Sequence, residues 1–99
     1  MMELARLLPF TATAPVMRHW RSSHGEAVDV VLEDRRGRVI AIEIKAGASP
    51  GRSDFRGIRR FQELSGERFV AGLVLCTVRQ TLPAGERIWA VPIEALWHA

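Results

Sequence analysis

Eight consecutive residues, Phe69-Val70-Ala71-Gly72-Leu73-Val74-Leu75-Cys76, carry no charge. A strand with one face in water alternates apolar and polar residues, whereas an unbroken apolar run fits a strand covered on both faces. This segment therefore predicts a central strand, with layers packed above and below it. A chain of 99 residues has room for one such domain. Its hydrophobic fraction of 47% is that of a globular protein and excludes a disordered chain.

The rest of the chain supplies neighbours for that strand. Val16 to Arg21 reads as a first strand and Ser22-Ser23-His24-Gly25 as a turn. Glu26 to Glu33 is a second strand, Asp34-Arg35-Arg36-Gly37 a tight turn, and Arg38 to Lys45 a third strand. Connections this short make the three an antiparallel meander. Ser49-Pro50-Gly51 marks a turn, and a helix follows with Ser53 as its N-cap and Asp54 in its first turn. Phe55, Ile58, Phe61 and Leu64 form its apolar stripe, and Gly66 ends it. As a crossover, this helix makes the third and fourth strands parallel. Pro83 and Gly85 mark a turn, Arg87 to Val91 a last strand, and Ile93 to Trp97 a short C-terminal helix after Pro92. The expected fold is α/β, a mixed central sheet of order βββαββ. Residues 1 to 15, broken by Pro9 and Pro15, read as an N-terminal extension or the remnant of a preceding domain, and residues 16 to 99 as the folded unit.

Cys76 is the single cysteine and forms no internal disulfide, which points to a reducing compartment, the cytoplasm. No stretch approaches the ~18 apolar residues that span a bilayer, so no membrane is expected as a partner. The formal charge of +3 permits nucleic-acid binding without demanding it. Of the 14 basic residues only Lys45 is a lysine. Where every other cation is arginine, a retained lysine invites a role that a guanidinium does not fill.

Alternation along a strand assigns faces. Val28, Val30 and Leu32 share one face of the second strand, and Ala27, Asp29 and Val31 the other. On the third strand Ile40, Ile42 and Ile44 oppose Val39, Ala41, Glu43 and Lys45. Both faces are apolar in the middle, so Asp29, Glu43 and Lys45 are charges among residues that belong inside. An unpaired charge there costs on the order of several kcal/mol unless it finds a partner or a metal. Two carboxylates converging from adjacent strands, with the backbone carbonyl of Ile44, form a hard-oxygen site for Mg²⁺ or Mn²⁺. A lysine two residues past the second carboxylate suits the transition state of phosphodiester hydrolysis. An internal ion pair is the structural alternative.

Gly25-Glu26-Ala27-Val28-Asp29-Val30-Val31-Leu32-Glu33 followed by Ile42-Glu43-Ile44-Lys45 resembles the core of the PD-(D/E)xK nuclease superfamily. The chain is similar to one branch in particular, the C-terminal domain of unknown function carried by bacterial AAA-type ATP-binding proteins. There an E-V-D strand and an I-E-V-K strand precede a helix with D-F-x-G-L, and Asp54-Phe55-Arg56-Gly57-Ile58 stands at the matching place. The likeness runs over residues 18 to 97. It implies a restriction-endonuclease-like fold and a Mg²⁺ (or Mn²⁺) cofactor. Asp29 and Glu43 become the metal-binding carboxylates, Lys45 the catalytic lysine and Glu26 an accessory acidic position, although alternation puts Glu26 and Asp29 on opposite faces. It implies an AAA-type ATPase module or sister chain as a partner. No G-x-x-x-x-G-K-[ST] segment occurs here, so there is no ATP site in this chain.

Two function classes follow. One is a metal-dependent nuclease acting on nucleic acid, with Arg52, Arg56, Arg59 and Arg60 of the helix contacting phosphates. The other is a catalytically inactive accessory module, or free-standing fragment, of the ATPase. A solvated helix face is the bland account of the four arginines, and inert core that of Cys76. His19 and His24 lack the companions a zinc site needs.

Overall fold

The computed structural model describes residues 16–45, 47 and 50–93. Its elements are β1 (Val16–Arg21), β2 (Ala27–Glu33), β3 (Val39–Ile44), α1 (Arg52–Ser65), a 3₁₀ turn (Gly66–Arg68), β4 (Phe69–Cys76), β5 (Leu82–Gly85) and β6 (Ile88–Pro92). One mixed sheet has the order β1-β2-β3-β4-β6-β5. β1, β2 and β3 are antiparallel neighbours, and α1 carries the chain across to β4, parallel to β3. This is the expected α/β architecture with a crossover helix.

The uncharged run is the central strand β4, parallel also to β6, with every residue buried except Val70. Its two faces feed two cores. One, on the helix side, gathers Val28, Val31, Val39, Ala41, Phe55, Ile58, Phe61, Phe69 and Val74; the other gathers Ile40, Leu73, Leu75 and Val91. Trp20 packs edge-on against Phe61 at 5.3 Å between centroids, and Phe61 against Phe69 at 6.5 Å. Cys76 is wholly buried.

The β2–β3 turn is built around Asp34. One carboxylate oxygen accepts the Arg36 and Arg38 amides, each at 2.9 Å, and the other the Arg38 guanidinium. Burial pushes the Asp34 carboxyl up, but these hydrogen bonds outweigh it and hold it below its ordinary range. Gly37 supplies the positive φ of 82° that returns the chain.

Four local expectations are corrected. The N-cap of α1 is Gly51 rather than Ser53; its amide donates to Asp54 Oδ2 at 2.7 Å, so the carboxylate three residues into the helix closes the cap. Leu64, the last member of the stripe, is 59% exposed, one residue before the helix ends at Ser65. The Pro83–Gly85 segment belongs to β5, antiparallel to β6 at the sheet edge, where a proline without an N–H is tolerated. The strand faces assigned to β2 also change, and that change shapes the site. The extension over residues 1–15, Ser49 of the expected turn and the C-terminal helix beyond Ile93 lie outside the described residues.

Candidate functional site

β1 and β2 pair Arg18 with Val31 but Trp20 with Val28. A single residue, His19, thus faces two, Asp29 and Val30, and the strand carries a β-bulge at the candidate acid. The extra residue breaks the alternation. Val28 and Val31, three apart, both bury into the helix-side core, where strict alternation would separate them. By the same shift Glu26 joins Asp29 and Glu43 along one cavity, correcting the assignment of Glu26 to the opposite face. His19 Nδ1 lies 3.4 Å from the Asp29 carbonyl oxygen within the bulge.

On the other side β2 pairs with β3 in the register Val30–Ile42, Val31–Ala41 and Leu32–Ile40. Continued by one residue, that register sets Asp29 opposite Glu43. The regular ladder stops there, and the Ile44 amide donates to Asp29 Oδ2 at 3.0 Å. Asp29 is exposed and Glu43 half-buried. Burial, hydrogen bonding with Asp29 and the charge of Asp29 push Glu43 up to about 7. Hydrogen bonding with Glu43 and from the Ile44 amide holds Asp29 below its ordinary value. The two behave as a carboxyl pair whose first charge discourages the second.

Lys45 is not buried among the strands as alternation suggests. It lies one residue past β3, where its amide continues the ladder to the Leu75 carbonyl at 2.9 Å. Its ammonium pairs with Asp54 Oδ1 at 3.1 Å, the carboxylate whose other oxygen caps α1. This ion pair, followed by the fields of Glu43 and Asp29, raises the lysine above its ordinary value. Asp54 itself is lowered by the Gly51 amide and by Lys45.

The cavity beside the pair has a volume of 340 Å³ and is lined by His24, Glu26, Asp29, Glu43, Ser53 and Arg56, with Gly25, Ala27 and Gly57 as its backbone wall. Glu26 accepts the Ser22 hydroxyl at 2.5 Å, which lowers its pKa. Ser22 Oγ in turn receives the His24 and Glu26 amides, each at 3.1 Å, so the turn places both His24 and Glu26. Gly57 lets α1 approach: a Cβ there would strike the Ala27 carbonyl oxygen.

The structure therefore pairs Asp29 with Glu43, sets Glu26 and Arg56 along the same cavity, and holds Lys45 on Asp54. Arg59 lines the same groove as Arg52, Arg56 and Arg60, but its guanidinium is engaged elsewhere. That guanidinium donates to the Ala84 carbonyl at 3.1 Å and stacks over the Phe55 ring. Gln62 likewise donates to the Glu86 carbonyl at 2.8 Å, holding the β5–β6 hairpin to α1. Sequence reasoning missed the lysine-holding part of Asp54 and the presence of His24. The Asp-Phe-x-Gly segment was the available signal for the first. Among the described residues no three His, Cys, Asp or Glu side chains are grouped closely enough to form a metal cage by themselves, and no described helix is long and apolar enough to cross a membrane.

These features define a mixed α/β domain with a carboxylate pair at the point where two sheet strands diverge. The profile of DUF4143, a domain of unknown function, matches residues 1–96. The chain belongs to the DUF4143 family. No curated protein and no solved structure gives a significant match to it.

Proposed function

We propose that the chain is a nuclease-like domain of the PD-(D/E)xK kind, hydrolysing nucleic-acid phosphodiesters with Mg²⁺ or Mn²⁺. The observation that carries this reading is the Asp29–Glu43 pair at the end of the β2–β3 ladder, with Lys45 two residues beyond Glu43. A carboxyl raised to about 7 by burial and then by the hydrogen bond and charge of its neighbour is a contact that a divalent cation relieves. The donors are hard oxygens: two carboxylates and the Ile44 carbonyl, which projects from the same strand edge as the amide bound to Asp29. Magnesium is commonly bound by one or two protein carboxylates together with substrate phosphate, so this small set fits it. Glu26, across the same cavity, is the accessory acid.

A bound cation supplies Lewis-acid polarisation of the phosphoryl oxygens. The chain supplies the rest. The Ile44 amide fixes the Asp29 carboxylate, and Asp54 fixes the Lys45 ammonium next to the pair. From there Lys45 offsets the negative charge that grows on the phosphoryl oxygens. The likeness of the two strands and of Asp54-Phe55-Arg56-Gly57 to ATPase-linked domains supports an AAA-type ATPase as the working partner.

A second reading, a non-catalytic module of that ATPase, draws on one observation. β1 lies at the sheet edge and exposes Val16 and Met17. One experiment separates the two. Labelled DNA and RNA are incubated with the wild type, Asp29→Asn and Glu43→Gln across a Mg²⁺ and Mn²⁺ titration. Metal-dependent nicking lost in both variants supports the nuclease; no nicking at any metal concentration leaves the module.

A further inference from the structure

Arg52, Arg56 and Arg60 stand four residues apart on α1, so each is about 6 Å further along the helix axis than the last. All three line one groove of 450 Å³ on the exposed side of α1. That groove and the carboxylate cavity share Glu26, Ser53 and Arg56 as walls, so the two are continuous. Arg56 is the joint between them. Acidic side chains, Glu26 from the β1–β2 turn and Glu63 from the helix, flank the arginines in the groove.

We propose that this row of three arginines is a track for one strand of a polynucleotide, binding successive phosphates and delivering the phosphate at Arg56 to Asp29 and Glu43. The inference rests on the phosphodiester reading of that pair. The step of the row suits successive phosphates of one strand. One feature favours a single strand over a duplex: Glu26 and Glu63, the latter also pairing with Arg60 at 4.0 Å, flank the row and repel a second phosphate chain laid beside the first. Arg59 lines the same groove but is left out of the row, because its guanidinium donates to the Ala84 carbonyl and stacks over the Phe55 ring.

Binding is measured with fluorescein-labelled oligo-dT, and with a duplex of equal length, in EDTA so that no cleavage occurs, over a range of salt. Each of Arg52→Ala, Arg56→Ala and Arg60→Ala weakens oligo-dT binding and lowers the slope of log Kd against log salt by about 0.7, the loss of one single-strand phosphate contact. Arg35→Ala, the same charge removed from the exposed β2–β3 turn, leaves the slope unchanged. An equal loss in Arg35→Ala, an unchanged slope in the three track variants, or absence of wild-type binding overturns the track. Tighter binding of the duplex overturns its single-strand character. A companion nicking assay keeps the two ideas apart: binding through the arginines without cleavage under Mg²⁺ leaves the track and removes the nuclease. Cleavage indifferent to all three arginines does the reverse.

Discussion

The carboxylate of Asp29 accepts the amide of Ile44 at 3.0 Å, a side chain standing where a backbone rung of the β2–β3 ladder would otherwise continue. That bond exists because β2 bulges at Asp29 and Val30 opposite His19. The bulge frees Asp29 from regular pairing and rotates the preceding residues, so Val28 turns into the core and Glu26 toward the cavity. One inserted residue thus accounts for both the end of the ladder and the gathering of acids beside it.

Gly57→Ala tests how closely α1 must seat on β2 for that cavity to exist. In an exposed helix the change would stabilise by about 1 kcal/mol. Here a Cβ meets the Ala27 carbonyl oxygen, which is backbone and cannot rotate aside. The expected outcome is a loss of about 1–3 kcal/mol in urea unfolding, as for overpacking. A gain would show that α1 sits further from β2.

Phe61 and Leu64 look equivalent in the sequence, three residues apart on one stripe, yet only Phe61 is buried. Packed between Trp20 and Phe69, it should cost about 3–5 kcal/mol when cut to alanine. Leu64→Ala should remain within about 0.5 kcal/mol of wild type. Comparable losses at the two sites would mean that something covers the end of α1.

How much was legible in advance follows from the range of the interactions involved. The uncharged run at Phe69–Cys76 announces a central strand because burial on both faces is written into each of its residues. The parallel β3–β4 pair follows from a single helix between two strands. The bulge at Asp29 was not legible, since it depends on His19 of another strand facing two residues, and alternation read along β2 alone cannot show it. β5 was hidden because Pro83 and Gly85 resemble a turn until the edge position of the strand is known. The candidate acids and the lysine were legible as residue types at a spacing, but the Asp54 that holds Lys45 lies nine residues away across a loop.

Lys45→Arg keeps the positive charge and should leave the fold unchanged, since the side chain is exposed and its amide bond to Leu75 is backbone. If the domain is a nuclease, cleavage should nonetheless fall by most of its rate, because a planar guanidinium does not reproduce a compact ammonium at the phosphorus centre. Asp54→Asn retains an acceptor for the Gly51 amide and removes the charge that holds Lys45. It should preserve helix content by circular dichroism and lower cleavage. Full activity in both variants would remove Lys45 from the chemistry.

The Glu43 carboxyl gives the site a pH signature that does not depend on turnover. Its pKa is raised on folding from 4.5 to about 7, so the folded state holds the proton more tightly than the unfolded chain. The stability that this proton provides is fully present below 4.5 and is lost as pH rises through about 7. Asp29, lowered on folding, acts in the opposite sense: its contribution is present above its unfolded value and is lost as pH falls through the lower folded one. Between 4.5 and about 7 the Glu43 effect should therefore show as a falling melting temperature that Glu43→Gln flattens. Above that window, with both carboxylates charged, added Mg²⁺ should raise the melting temperature of the wild type and leave Glu43→Gln unmoved, because a ligand bound only by the folded state stabilises it. Below 4.5 the same Mg²⁺ should have little effect on either protein, since proton and cation compete for one pair of oxygens. A wild type whose melting temperature ignores Mg²⁺ at every pH would leave the carboxyl pair as the end of the β2–β3 ladder and nothing more.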